Sequence, residues 1–449
     1  MASSLAASRF TLPLPGSPSS NMQLFKARLK ALFADADPRV CLAFWLFGLI
    51  NNVLYVIILS AALDLVGPTI PKSLVLLFDV LPSFLTKLLL PYVIHRVPYH
   101  LRIPILVLLS FLGMQFVAYA PTLAWRMFGV VVASIASGAG ELSFLGLTHY
   151  YGQFALASWG SGTGAAGLVG AGMYSVVITG WRWSVRGALG GFSFLPGVML
   201  LAFFAVLPKG VLWYRRAPGE GDAEDGVMRH REEEEGEGEG QGEGLNTRRR
   251  HSTQSIPSLR STSTSSSSFL PTFYRNLART KSLFFPYMLP LLLVYIAEYT
   301  INQGHRPPHR FTHFRDFYPT YNTIYQLGVF ISRSSHLIYR LPALYPPSLL
   351  QCLNLIILTL HAMYPFIPTV WIVFVVIFWE GLLGGSVYVN TFAKITEEVG
   401  LSEREFALGA VTVADSGGIC IAGFVGLWLE GALCRWQVGR GREWCRLME

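Results

Sequence analysis

Charge is scarce in this 449-residue chain: only 14% of its residues are Asp, Glu, Lys or Arg, against roughly a quarter in an average soluble domain. With 52% hydrophobic residues, a water-facing surface cannot be built around a chain of this length. Cysteine is also sparse. The five cysteines (Cys41, Cys352, Cys420, Cys434, Cys445) are an odd, scattered set with no CxxC pair and no zinc spacing, and they read as packing residues. No N-x-Ser/Thr acceptor, GxSxG elbow, HExxH helix or Walker loop is present. A membrane-embedded lipid enzyme would therefore lack any recognisable nucleophile and base. His95, His100 and His149 fall in short loops. His305, His309 and His313 have helical spacing, but Pro307 and Pro308 interrupt it, so neither a helical metal site nor a cofactor is expected.

What the chain does have is long apolar runs. A bilayer core takes roughly 20 apolar residues per helix. Eleven windows qualify, near 41–63, 73–93, 103–121, 126–148, 159–179, 188–208, 283–303, 318–339, 348–364, 368–391 and 406–429. They are too long and too continuously apolar for barrel strands, and helices alone satisfy their own backbone in lipid. The expected fold is an all-α, multi-pass membrane protein. No cleavable signal is read in residues 1–39, which hold Ser, Pro and scattered basic residues.

Between the sixth and seventh windows the composition changes abruptly. An acidic glycine tract (EEEEGEGEGQGEG, 232–244) is followed by Arg248, Arg249 and Arg250 and by a serine cluster (STSTSSSSF, 261–269). This reads as a disordered linker holding 11 of the 27 acids, so the net charge of +8 reflects loops and tails and points to no nucleic-acid site. The expected organisation is a tail at 1–39, a six-helix half at 40–213, the linker at 214–281, a five-helix half at 282–430 and a tail at 431–449. Arg96, Arg102, Arg333, Arg340, Lys394 and Arg404 fall on the side of the N-terminal tail, which places that side and the linker in the cytosol.

The halves resemble each other at a constant offset of six helices. Ala166-Gly167-Leu168-Val169-Gly170 matches Ala422-Gly423-Phe424-Val425-Gly426, GELSFLG at Glu141 matches WEGLLGG at Glu380, and Ile50-Asn51-Asn52 matches Ile301-Asn302-Gln303. Tandem halves of the same orientation are the mark of transporters built from parallel repeats, with solute bound between the halves near the midplane. The run Ser158, Ser161, Gly162, Thr163, Gly164, Gly167, Gly170 leaves a helix face with little bulk, as static packing or a sliding contact requires.

Five acids interrupt apolar runs: Asp79, Glu141, Glu298, Glu380 and Asp415. The basic residues at comparable depth are Lys87 and Arg333. A charge at the bilayer centre costs roughly 2.5–3.5 kcal/mol even on lenient scales, so such groups line a cavity, pair or become neutral. Five acids and two bases cannot all pair one to one, so some acids face water or hold protons. Asp79 and Lys87 lie about 12 Å apart along one helix at 1.5 Å per residue, sharing a face without touching, so each needs a partner on another helix. Glu141, Glu298, Glu380, Asp415, Asn302, Gln303 and Asn52 are the candidate solute- and proton-binding residues, with Asp79, Lys87 and Arg333 as pairing or gating groups. Tyr295 and Tyr299 read as packing or interface aromatics, and Ser402 with Glu405 as a capping box opening the last helix.

Seven stretches carry a likeness: FWLFGLINNVLYVIILSAALDL (44–65), SGAGELSFL (137–145), WGSGTGAAGL (159–168), YIAEYTINQG (295–304), GVFISRSSHL (328–337), LLQCLNLIIL (349–358) and WEGLLGGSVYVNTF (379–392). In these, covering nearly every membrane helix in order, the chain resembles the battenin family, the Batten-disease protein and its fungal vacuolar homologues. The resemblance implies a major-facilitator-like fold in a vacuolar or lysosomal membrane and a role in organelle pH balance. It also implies basic amino acid (arginine) transport as in fungi, or glycerophosphodiester clearance as in animals. The acid excess suits a cation such as arginine. It would suit a phosphodiester only if Lys87 and Arg333 meet in the cavity. The other expectation is a non-transporting scaffold whose serine-rich linker recruits cytosolic trafficking or proton-pump partners. Two departures stand out. HRPPHRFTHFRDF (305–317) is more polar than the family leads one to expect, and Glu449 after Cys445-Arg446-Leu447-Met448 spoils a prenylation box, so none is expected.

Overall fold

In a computed structural model, the described residues are 34, 36–61, 72–94, 97–208, 279–304 and 314–441. Met1–Leu207 and Leu277–Glu449 form one compact unit, and Pro208–Asn276 a second. The linker expected over 214–281 lies outside the described residues except for 279–281, which begin the seventh membrane span.

The described secondary structure is helical. The long helices are α1 (Pro38–Ser60), α2 (Lys72–Leu89), α3 (Tyr99–Tyr119), α4 (Leu123–Tyr151) and α5 (Gln153–Ser175), which runs on through a π turn at Val176–Gly180. The sixth span, α6, covers Val185–Val206 and is broken after Phe192. Across the linker follow α7 (Leu289–Gly304, entered through a π turn at Phe284–Met288), α8 (Phe314–Ser334), α9 (Tyr345–Met363), α10 (Val370–Glu398) and α11 (Leu401–Val438). Asp37 caps α1 by accepting from the Arg39 backbone N–H, with Pro38 at the first helical position.

Ten of these eleven are long and apolar enough to cross a membrane. The exception is α8, against the eleven windows read from sequence. The reason is where its polar residues point: Tyr325, Gln326 and Arg333, with Val329 between them, recur at helical spacing and line an internal cavity, while Leu327 and Ile331 are exposed on the outside. Polar residues on a protein-facing stripe lower a helix's mean hydropathy without exposing it to lipid. Of the cysteines, Cys41, Cys352 and Cys420 are free thiols, whereas Cys434 is disulfide-bonded rather than a plain packing residue.

Small residues set the closest helix crossings. A Cβ on Gly48 of α1 would collide with the Trp159 carbonyl of α5, and one on Gly162 of α5 with the Trp45 carbonyl of α1. In the second half, Gly328 of α8 and Gly381 of α10 are matched in the same way, facing the carbonyls of Phe378 and Tyr325. Backbone meets backbone at both crossings, so no side chain can yield. Each half thus has a glycine-lined crossing that holds two of its cavity-facing helices at a fixed separation.

Gly162→Ala is therefore expected to lower the thermal midpoint of the detergent-purified protein by several degrees, corresponding to about 1–3 kcal/mol of overpacking. Gly172→Ala, on the same helix in open space, is expected to leave it unchanged or slightly higher. Equal midpoints for the two variants would refute the crossing's role.

Candidate functional site

The two halves enclose a central cavity of about 120 Å³ in which charged side chains converge from α2, α4, α7, α8 and α11. At its heart Lys87 of α2 donates to Glu141 Oε2 of α4 at 2.7 Å, to Asp415 Oδ1 of α11 at 3.0 Å and to Ser416 Oγ at 2.7 Å. The ammonium thus spends its three donors on three acceptors, two of them from the other half. Tyr388 of α10 donates to the second Glu141 oxygen at 2.8 Å, and Trp159 Nε1 donates to the Tyr388 hydroxyl at 3.3 Å. Lys87 is 2% exposed, which puts the cluster out of reach of solvent screening. One cation between two ionised carboxylates leaves a formal negative charge over. The cluster is balanced when it also holds a proton or meets a second cation.

Arg333 of α8 stands on the other side of Tyr388. Its guanidinium donates to Thr163 Oγ1 of α5 at 2.8 Å and to the Tyr295 hydroxyl of α7 at 3.0 Å, and its Cζ lies 4.2 Å from the centre of the Tyr388 ring. Its Nε is buried without a hydrogen-bond partner, and Arg333 makes no ion pair among the described residues. Glu298 of α7 accepts from Tyr325 of α8 through Oε1, while its buried Oε2 has no partner and takes the space that a Cβ on Gly384 would fill. Asp79 of α2 also faces the cavity, and its Oδ2 is likewise buried and unpartnered.

Glu141, Glu298, Asp415 and Asn52 therefore line one cavity together with Asp79, Lys87 and Arg333. Glu380 does not. It is fully buried behind the cavity wall on α10, with neither carboxyl oxygen hydrogen-bonded. Its sequence counterpart Glu141 has Lys87 and Tyr388. Asn302 lies further out, and the side chain of Gln303 is outside the described residues. Asp79 and Lys87 do not touch each other, and the partners of Lys87 lie on α4 and α11. The sequence reading missed Tyr295 and Tyr299: both line the cavity rather than serving only as packing, and Tyr295 holds Arg333. Their one signal was position, either side of Glu298 on α7. No group of three or more His, Cys, Asp or Glu suited to a metal ion occurs among the described residues.

On one side the cavity shares its lining with a larger space. Six of its residues, among them Tyr55, Gly167, Tyr299 and Gln326, also line a second space of about 640 Å³ bounded by Ser60, Ser175, Asn302 and Asn322. These sit at the ends of α1, α5 and α7 and in the first half of α8, on the face opposite the one where α1 begins. At the face where α1 begins, Glu405 of α11 accepts from Tyr99 of α3 and Tyr150 of α4, each at 2.7 Å. Arg340 pairs with Glu397 and also donates to Gln153 of α5. Glu405 was expected to cap α11 in a box with Ser402. The helix begins instead at Leu401 after Gly400, with no side-chain cap, which frees the carboxylate to close this face.

Two halves enclosing a polar central cavity define the major facilitator fold. The organic anion transporter MFSD10 (TETRAN) of human matches with a TM-score of 0.55 at 13% identity, over 92% of this chain and 100% of that one. The proton:xylose symporter XylE matches equally well, with a TM-score of 0.55 at 12% identity over 91% of each chain. The sequence places the chain more narrowly. The CLN3 protein family profile covers residues 42–436, and the chain belongs to that family. Protein BTN1 of Chaetomium globosum is 55% identical over 98% of this chain and 97% of its own length. Protein BTN1 of Saccharomyces cerevisiae is 41% identical over 92% and 100%. The battenin resemblance read from seven motifs is thus established.

Lys87→Met would leave Glu141 and Asp415 facing each other without a counter-charge. The expected cost is about 3–5 kcal/mol, seen as a large drop in thermal midpoint. Adding Glu141→Gln and Asp415→Asn should recover most of the loss. A triple variant no more stable than Lys87→Met would show that the cluster does not act through its charge balance.

Proposed function

We propose that this protein is a transporter of small polar solutes bearing a positive charge, with basic amino acids such as arginine as the leading class, in a vacuolar or lysosome-like membrane. The observation that carries the reading is the surplus of carboxyl groups in the cavity: Asp79, Glu141, Glu298 and Asp415 against Lys87 and Arg333. A cationic solute entering this space supplies charge that the chain itself lacks. The Lys87 cluster offers a route to proton coupling, since a carboxylate released from Lys87 binds either a proton or the solute's cation, and one event excludes the other. Glu298 and Glu380 supply further proton-holding groups beside the pathway.

Transport then follows from exchange between the present arrangement, closed where α1 begins, and its opposite. The contacts of Glu405 and of Arg340 with Glu397 are few and peripheral, so they can break as the halves rock about the cavity. The basic residues near that face orient it toward the cytosol, which puts the open vestibule on the lumenal side. These assignments place the expected role in organelle pH balance alongside the transport cycle, because solute and protons would share one site.

The test is uptake of labelled arginine into proteoliposomes under an imposed pH gradient, with glycerophosphodiesters as competitors. Saturable flux that follows the gradient is expected, and Glu380→Gln should alter its pH dependence. Arginine flux no greater than in empty liposomes, from protein with a normal melting transition, would overturn the reading. The second reading, a scaffold acting through its linker, is favoured by the acidic tract and the serine cluster of 232–269. Deleting 219–270 separates the two: flux that survives the deletion supports the carrier, whereas loss of the cellular phenotype with no flux to begin with supports the scaffold.

A further inference from the structure

The six-helix repeat makes α2 the counterpart of α8 and α11 the counterpart of α5. Each pair crosses between halves, with α2 packed on α11 and α8 packed on α5. Each of the two helices brings one cation to the cavity from its last turn, Lys87 on α2 and Arg333 on α8. The two cations are related by the repeat, yet their partners differ in kind. Lys87 meets a carboxylate on the opposing helix, Asp415, and a second, Glu141, on its own half. Arg333 meets a neutral hydroxyl on the opposing helix, Thr163, and a neutral phenol, Tyr295. The residue that would complete the symmetry, Glu380, matches Glu141 in sequence but has no hydrogen bond to Arg333 or to anything else described.

We propose that Arg333 is the anion subsite of this cavity and that the solute supplies the oxyanion that the chain withholds. A guanidinium has five N–H donors in a planar fork, and Arg333 uses one nitrogen on Thr163 and another on Tyr295, leaving donors for a carboxylate or phosphate oxygen. The Tyr388 ring stacks against its face, and the Tyr295 and Thr163 contacts come from two further helices, so the fork is held in place before any ligand arrives. Tyr388 also donates to Glu141, so one side chain joins this subsite to the Lys87 cluster. The arrangement selects a solute with charges of both signs: a cationic group toward the carboxyls of Asp79 and Glu298, neither of which makes an ion pair among the described residues, and an oxyanion on Arg333. A simple polyamine would leave Arg333 unmet, and a simple anion would face the acid surplus. This deepens the transport reading, since it rests on the cavity being the solute site.

The experiment is calorimetric binding to the full-length protein in nanodiscs with two matched pairs of probes. Arginine is compared with agmatine, which keeps the guanidinium and lacks the carboxylate; glycerophosphocholine is compared with choline, which lacks the phosphodiester. In at least one pair the oxyanion-bearing member is expected to bind about tenfold or more tightly than its counterpart. In Arg333→Gln that preference should shrink to within about twofold, and Arg333→Lys, which keeps the charge but loses the fork, should fall between. Thermal melting of each variant shows whether it is folded, and the preference is a ratio within one variant, so partial loss of protein does not alter it. A preference confined to the arginine pair names a carboxylate as the occupant; one confined to the glycerophosphocholine pair names a phosphodiester, and overturns the basic amino acid assignment while the subsite stands. Agmatine binding as tightly as arginine, with no preference in the choline pair, overturns the subsite and leaves cation transport intact. An oxyanion preference that persists undiminished in Arg333→Gln also overturns it. No binding of any probe to folded wild-type protein overturns the subsite and the transport reading together.

Discussion

An ammonium group inside a membrane protein has to be neutralised where it stands, and Lys87 is neutralised by carboxylates that belong to different halves of the molecule. Glu141 comes from its own half and Asp415 from the other, at 2.7 and 3.0 Å. The charge balance of the cavity and the contact between halves are therefore one interaction. Whatever changes the protonation or pairing of either acid also changes what holds α2 against α11. In a low-dielectric setting that dependence is strong, because an unpaired charge has no water to fall back on.

The rest of the site is organised around the same constraint. Tyr388 orients Glu141 from one side and stacks under Arg333 on the other, with Trp159 behind it. Glycine crossings at Gly48 and Gly162, and at Gly328 and Gly381, bring α1, α5, α8 and α10 close enough for these side chains to meet. The closed face uses a different kind of contact. Tyr99, Tyr150 and Glu405 join α3, α4 and α11 near the aqueous boundary, where hydrogen bonds exchange readily with water. Deep charge pairing and shallow polar contacts are thus separated in depth.

The repeat is legible in sequence but its chemistry is not symmetric. Gly167 and Gly423 hold equivalent places and each faces the other half, yet Gly167 meets the side-chain amide of Gln326 on α8, whereas Gly423 meets the apolar Leu77 of α2. Glu141 and Glu380 share a motif but differ in every contact. Repeats conserve the helix framework, while the side chains facing the cavity are free to diverge. That divergence leaves one cation paired and the other open.

Composition and hydropathy by themselves determined a multi-pass helical protein in two halves, the location of its buried charges and, through seven motifs, its family. These are properties of local chain segments: a run of apolar residues partitions into lipid regardless of its neighbours, and an acid within that run is costly wherever the helix packs. Only the tertiary structure decided that Lys87 takes Glu141 and Asp415, that Arg333 takes none of the five acids, that Tyr295 belongs to the site and that Glu405 closes a face rather than capping a helix. Residues 87 and 415 are separated by 328 positions, and no periodicity along a chain specifies which of several buried acids an amine will reach. That choice is made by helix crossings, where the absence of a side chain at a glycine sets which neighbours come within hydrogen-bonding distance.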